Sequence, residues 1–129
     1  MKYFDSIRLD LPYGQTVARV REVLAEQGFG VLTEIDVRAT MKAKLGEDME
    51  DYIILGACNP QLAHQALQVD RSVGLLLPCN VVVRRADDAT VVEVLDPEVM
   101  VAVPELEELR PVADEAGRRL SAALSALTS

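Results

Sequence analysis

Hydrophobic and polar positions along the chain follow two periods. From Tyr3 to Leu11 the odd positions Tyr3, Ile7, Leu9 and Leu11 are apolar, as a strand with one buried face requires, and Pro12-Tyr13-Gly14 ends the run. Over Gln15 to Gln27 the period changes. Val17, Val20, Val23 and Leu24 recur at helical spacings while Arg19, Arg21, Glu22 and Glu26 line the other side. Gly28 suits the left-handed residue that closes such a helix. Val31 to Val37 alternates again and predicts a second strand, followed by a short helix with Met41 and Leu45 one turn apart and Gly46 as its stop.

Tyr52 to Ala57 is short and rich in Ile and Leu, the signature of a central, well-buried strand. Asn59-Pro60 reads as a helix start. Asn is a favoured N-cap, and Pro in the first turn gives up a donor that has no partner there anyway. Leu62, Ala63, Ala66 and Leu67 supply the inward stripe, and Gly74 to Pro78 returns the chain to the sheet. Asn80–Arg85 and Thr90–Leu95 form a hairpin across the short loop Ala86 to Ala89. Asp96-Pro97 leads into a short turn or helix around Met100, and Pro104 to Leu109 makes a further turn. A last helix begins at Pro111 and is apolar along Val112, Ala116, Leu120, Ala123, Leu124 and Leu127. The pattern predicts a single α+β domain over residues 1–129, with a largely antiparallel sheet of about five strands and helices packed on one face.

Composition narrows the function more than the fold. A chain of 129 residues buries enough surface to fold without disulfides or metal, and its scarcity of aromatics makes the core aliphatic. Thirteen basic against 21 acidic residues give a net charge of −8, which repels phosphate backbones and anionic bilayers, so neither nucleic acid nor membrane is an expected partner. No apolar run approaches the roughly 20 residues of a membrane span. Two cysteines and no signal-like start point to a reducing, cytoplasmic setting.

The candidate chemistry gathers in two Cys-Asn pairs, Cys58-Asn59 and Cys79-Asn80, each beside a proline and an apolar run. Cys58 precedes a helix start, where peptide dipoles can lower a thiol's pKa and make it a nucleophile; the alternative is a small apolar residue buried at a strand end. Cys79 divides the same way with less support, because a strand follows it. Cys58, His64 and Cys79 are three candidate metal ligands without the close pairing of a zinc site, so no metal centre is assigned. His64 reads as a surface residue on the polar side of its helix. Asn59 reads as a cap and Asn80 as a turn residue, with both kept as candidate ligand contacts. The acidic stretches Glu47 to Asp51 and Glu105 to Glu108 read as solvated loops. Gly28 and Gly30 lack the third glycine and the strand-to-helix setting of a dinucleotide fingerprint.

Three motifs in order, Glu26-Gln27-Gly28-Phe29-Gly30-Val31-Leu32-Thr33-Glu34-Ile35-Asp36-Val37, Ile54-Leu55-Gly56-Ala57-Cys58-Asn59-Pro60 and Gly74-Leu75-Leu76-Leu77-Pro78-Cys79-Asn80-Val81, closely resemble the domain-of-unknown-function family 302, with Asp96-Pro97 also fitting. The resemblance implies a β-α-β(4)-α arrangement similar in topology to one repeat of the TATA-binding protein, and a homodimer. It points to no established activity and leaves the cofactor unknown, so no role carries over to Cys58 or Cys79. The reading that results is a small homodimeric protein that binds a small molecule or metal through Cys58, Asn59, Cys79 and Asn80. The alternatives are a thiol-dependent enzyme or sulfur carrier with Cys58 as nucleophile, or a protein that acts only through its surface.

Overall fold

The computed structural model describes residues 2–128. Five strands, β1 (Phe4–Leu9), β2 (Gly30–Asp36), β3 (Tyr52–Cys58), β4 (Cys79–Ala86) and β5 (Ala89–Leu95), form one sheet in the order β1-β5-β4-β3-β2. Every neighbouring pair is antiparallel. The helices are α1 (Tyr13–Glu26), α2 (Val37–Leu45), α3 (Pro60–Val69), α4 (Val99–Ala102) and α5 (Arg110–Leu127). This is the expected α+β build. Leaving out α2, α3 and α4, the elements run β-α-β-β-β-β-α along the chain. Among the described residues no helix is long and apolar enough to cross a membrane.

Strand alternation decides which face is covered. Ile53, Leu55 and Ala57 of β3, Val81 and Val83 of β4, and Val92 and Val94 of β5 pack with Val20, Val23 and Leu24 of α1 and Leu120, Ala123 and Leu127 of α5. A second apolar cluster lies beyond the sheet end, where Leu62 and Ala66 of α3 meet Met100, Leu109, Val112 and Ala116. The intervening strand residues point the other way. Ile35, Ile54 and Val82 are register partners across three strands on that open face; Ile54 and Val82 are half-buried and Ile35 is exposed. Glu93 continues the row and accepts from Arg84 Nε at 2.8 Å.

Several boundaries differ from those the sequence predicts, each for a local reason. α1 starts at Tyr13 rather than Gln15, because Pro12 carbonyl oxygen accepts from both Thr16 N and the buried Thr16 hydroxyl, a turn that lies outside the apolar stripe. Val37 belongs to α2, not to the strand. The Asp36 carboxylate accepts from Ala39 N at 2.9 Å and starts the helix there, despite an alternation that runs on through Val37. Part of the Gly74–Pro78 return is still helical, since Arg71–Leu76 forms a 3₁₀ turn capped by Asp70. α5 begins at Arg110, one residue before Pro111. The hairpin forms as expected with a tighter loop: Ala86 and Ala89 pair within the strands, leaving Asp87 and Asp88 as the turn.

Two glycines are where side chains would collide. Gly28 has φ 82° and ends α1 in a Schellman arrangement, with Phe29 N donating to Leu24 O and Gly28 N to Ala25 O. Gly56 sits in β3, where a β-carbon would stand 2.1 Å from Thr33 Oγ1 and 2.8 Å from Pro78 Cγ. Gly56→Ala is expected to lower stability by about 1–3 kcal/mol, the usual cost of overpacking. Thr33→Ala in the same chain should recover part of the loss, while Gly14→Ala, with nothing within 4 Å, should not destabilise. Urea unfolding midpoints of the four proteins check this.

Candidate functional site

The two Cys-Asn pairs, far apart in the chain, become neighbours because β3 and β4 pair antiparallel. Ala57 is opposite Cys79, and Gly56 is opposite Asn80. Cys58 closes β3 and Cys79 opens β4. Strand alternation then sends Cys79 and Asn80 to opposite sides: Cys79 is buried and Asn80 exposed. Asn80 is therefore apart from Cys58 and Asn59, and meets Cys79 only along an outer groove.

Cys58, Asn59 and Cys79 line a small, partly open space of about 20 Å³ with Phe29, Leu62 and Met100 among the other walls. Asn59 is buried and caps α3, its Oδ1 accepting from Leu62 N at 3.1 Å, as the Asn-Pro signal predicts. Its Nδ2 reaches toward Gly28, 2.9 Å from where a β-carbon would be, and Arg119 Nη1 comes within 3.0 Å of the same point. Arg119 Nη1 also donates to Gln27 O, so the first and second sequence motifs meet at the end of α1.

Both thiols are free, Cys58 half-buried and Cys79 buried. Burial pushes the Cys58 thiol above its ordinary value, opposite to the lowering that a helix start can give. Burial, and secondarily the nearness of Cys58, pushes Cys79 up to about 11. Neither thiol is a ready thiolate at neutral pH. His64 is exposed on α3, with Nε2 3.4 Å from Gln68 Nε2. Among the described residues no three His, Cys, Asp or Glu side chains gather as a metal set, so Cys58, His64 and Cys79 are not one.

Asn80 instead borders two open grooves of about 250 Å³ each. One lies on the open face of the sheet against Tyr3, Phe4, Tyr52 and Val82; the other runs along Leu75, Leu76 and Leu77 to Pro97 and Met100. Leu95 borders both. Sequence reasoning missed Met100, Leu95 and Tyr52 as site residues. Each is apolar or common, and only strand register and chain reversal bring them to Cys79 and Asn80. At neutral pH iodoacetamide is expected to label Cys58 more slowly than a free thiol and Cys79 more slowly still, with the Cys58 rate still rising above pH 9. Mass spectrometry of labelled peptides reads this, and fast labelling of folded Cys58 at pH 7 would contradict it.

The chain is similar to known proteins over nearly its whole length. A family model described as "Domain of unknown function DUF302" matches residues 6–127. A crystal structure of an uncharacterized conserved DUF302 protein from Bacillus stearothermophilus superposes with a TM-score of 0.90 at 29% identity, covering 97% of this chain and 98% of that one. No curated protein matches. A match over nearly the whole length, together with the shared fold, means that the chain belongs to the DUF302 family.

Proposed function

We propose that this chain is a homodimeric module that binds a small, mostly apolar molecule over Asn80 on the open side of the sheet. The observation that carries it is the pair of grooves meeting at Asn80 and Leu95. Each is close to the lower size limit of a ligand pocket, and their linings are apolar with a few polar groups, as such sites usually are. Tyr3, Phe4 and Leu95 offer flat hydrophobic contact. The Asn80 amide and the Tyr52 hydroxyl supply directional partners for one polar edge of the ligand. The net charge of −8 favours a neutral or cationic molecule over a phosphorylated one.

The second protomer is argued from the same face. A sheet with one side covered by helices and apolar residues on the other gains by burying both. The row Ile35, Ile54 and Val82 gives a second copy something to pack on, and its docking would close the groove around the ligand. Two unpaired cysteines fit a reducing, cytoplasmic setting for this module. The thiol-enzyme alternative loses its motive, since burial raises rather than lowers the Cys58 pKa.

Sedimentation equilibrium and Nile red fluorescence test the two parts. The wild-type chain is expected to sediment as a dimer and to brighten the dye. Ile54→Glu should yield a folded monomer, and Leu95→Asp should abolish the dye signal. A wild-type monomer would remove the dimer, and a folded protein that leaves the dye dark would remove the apolar ligand site.

A further inference from the structure

We propose that Cys58, Cys79 and Met100 form a three-sulfur site for one Cu(I) ion. All three line the same narrow, partly open space of about 20 Å³ beside β3, α3 and α4. That volume suits one water or one ion. A water there would need two to four polar partners, and the lining offers little besides Asn59, whose Oδ1 is already committed to Leu62 N. The other side-chain heteroatoms that the lining residues carry are the sulfurs of Cys58, Cys79 and Met100, and Cys58 is near enough to Cys79 to act on it electrostatically. Two thiolates and a thioether are soft ligands that select Cu(I), whereas zinc, calcium and magnesium call for nitrogen, oxygen or four-sulfur sets that the described residues lack here. The remaining walls, among them Phe29, Leu62 and Val112, are apolar and would keep water and oxygen from the ion.

Leu77, Cys79 and Met100 line both this space and the outer groove along Leu75–Leu77, so the groove adjoins the site and offers an incoming ion its approach. On binding, the S–H bonds of Cys58 and Cys79 break, two S–Cu bonds form and two protons pass to water, while the Met100 thioether joins as a neutral third ligand. Copper stays in the monovalent state throughout, delivered as Cu(I). The site carries one net negative charge. The ion approaches along one of the two grooves that Asn80 borders, but the inference needs neither the apolar ligand nor the second protomer.

Anaerobic titration of the full chain with Cu(I) held by bicinchoninate is the test, read by competition for the metal and by copper-edge X-ray absorption. One Cu(I) per chain is expected, with sulfur-only coordination of three ligands. Loss of a ligand should exceed the 10–100-fold that second-layer partners typically cost, so Cys58→Ser and Cys79→Ser are each expected to weaken binding by on the order of 100-fold or more. Met100→Leu keeps the volume and should weaken it by about 10-fold and change the spectrum to two sulfurs. Cys79 is buried and its serine variant could unfold; half-buried Cys58 and the size-conserving Met100→Leu keep the test decisive, with circular dichroism confirming each fold. Equal affinity in wild type and in Cys58→Ser, or copper bound through nitrogen or oxygen, would overturn the site. A Met100→Leu chain indistinguishable from wild type would overturn the three-sulfur set.

Discussion

The structure depends on how closely β2, β3 and the start of β4 approach one another around Gly56. Thr33 and Pro78 close over it from two sides, at distances a β-carbon could not share. That approach fixes the β3–β4 register, and the register sets Ala57 against Cys79 and Gly56 against Asn80. Slipping by one residue would turn Cys79 outward and Asn80 into the core, since a strand's side chains alternate strictly between faces. The positions of both Cys-Asn pairs follow from this one packing constraint. Gly28 plays a parallel part at the end of α1, where the side chains of Asn59 and Arg119 occupy the space a larger residue would need. The three sequence motifs are thus three sides of one corner, which is a structural reason for their occurring together.

Much of the fold was legible because its signals are local. The Asn59-Pro60 helix start, the Gly28 stop, the Ala86–Ala89 hairpin and the α5 stripe each lie within a few residues. Boundaries were lost where two local signals overlapped, as at Asp36, which continues an alternating run and also caps a helix. The site was legible only in part. Cys58, Asn59 and Cys79 do come together around one space, but strand alternation leaves Asn80 out of it, sharing only the outer groove with Cys79, which the pairing of Cys-Asn dipeptides conceals. Met100 joins Cys79 through a reversal after Asp96-Pro97, and nothing in the spacing along the chain announces that contact.

The environment of the thiols also separates two meanings of a cysteine near a helix start. Position along the helix axis favours an anion, whereas apolar surroundings oppose it. Around Cys58 and Cys79 the walls are almost entirely hydrocarbon, and burial prevails. Such thiols are poor nucleophiles. They are nevertheless suited to a soft ligand, whose bonds to sulfur are largely covalent and do not rely on solvent to hold a charge.

α5 has a further consequence. Its first half, with Val112, Ala113 and Ala116, belongs to the cluster beyond the sheet, and its second half, with Leu120, Ala123 and Leu127, belongs to the cluster beneath it. The outer strand β1 likewise finds its partner only in β5, as Phe4 opposite Leu95 shows. Contacts of such long sequence separation form late, because the loop entropy must be met before they contribute. α1 can cover its part of the sheet early, but the rest of that face stays bare until α5 docks, and α5 then completes the cover of both clusters in one step.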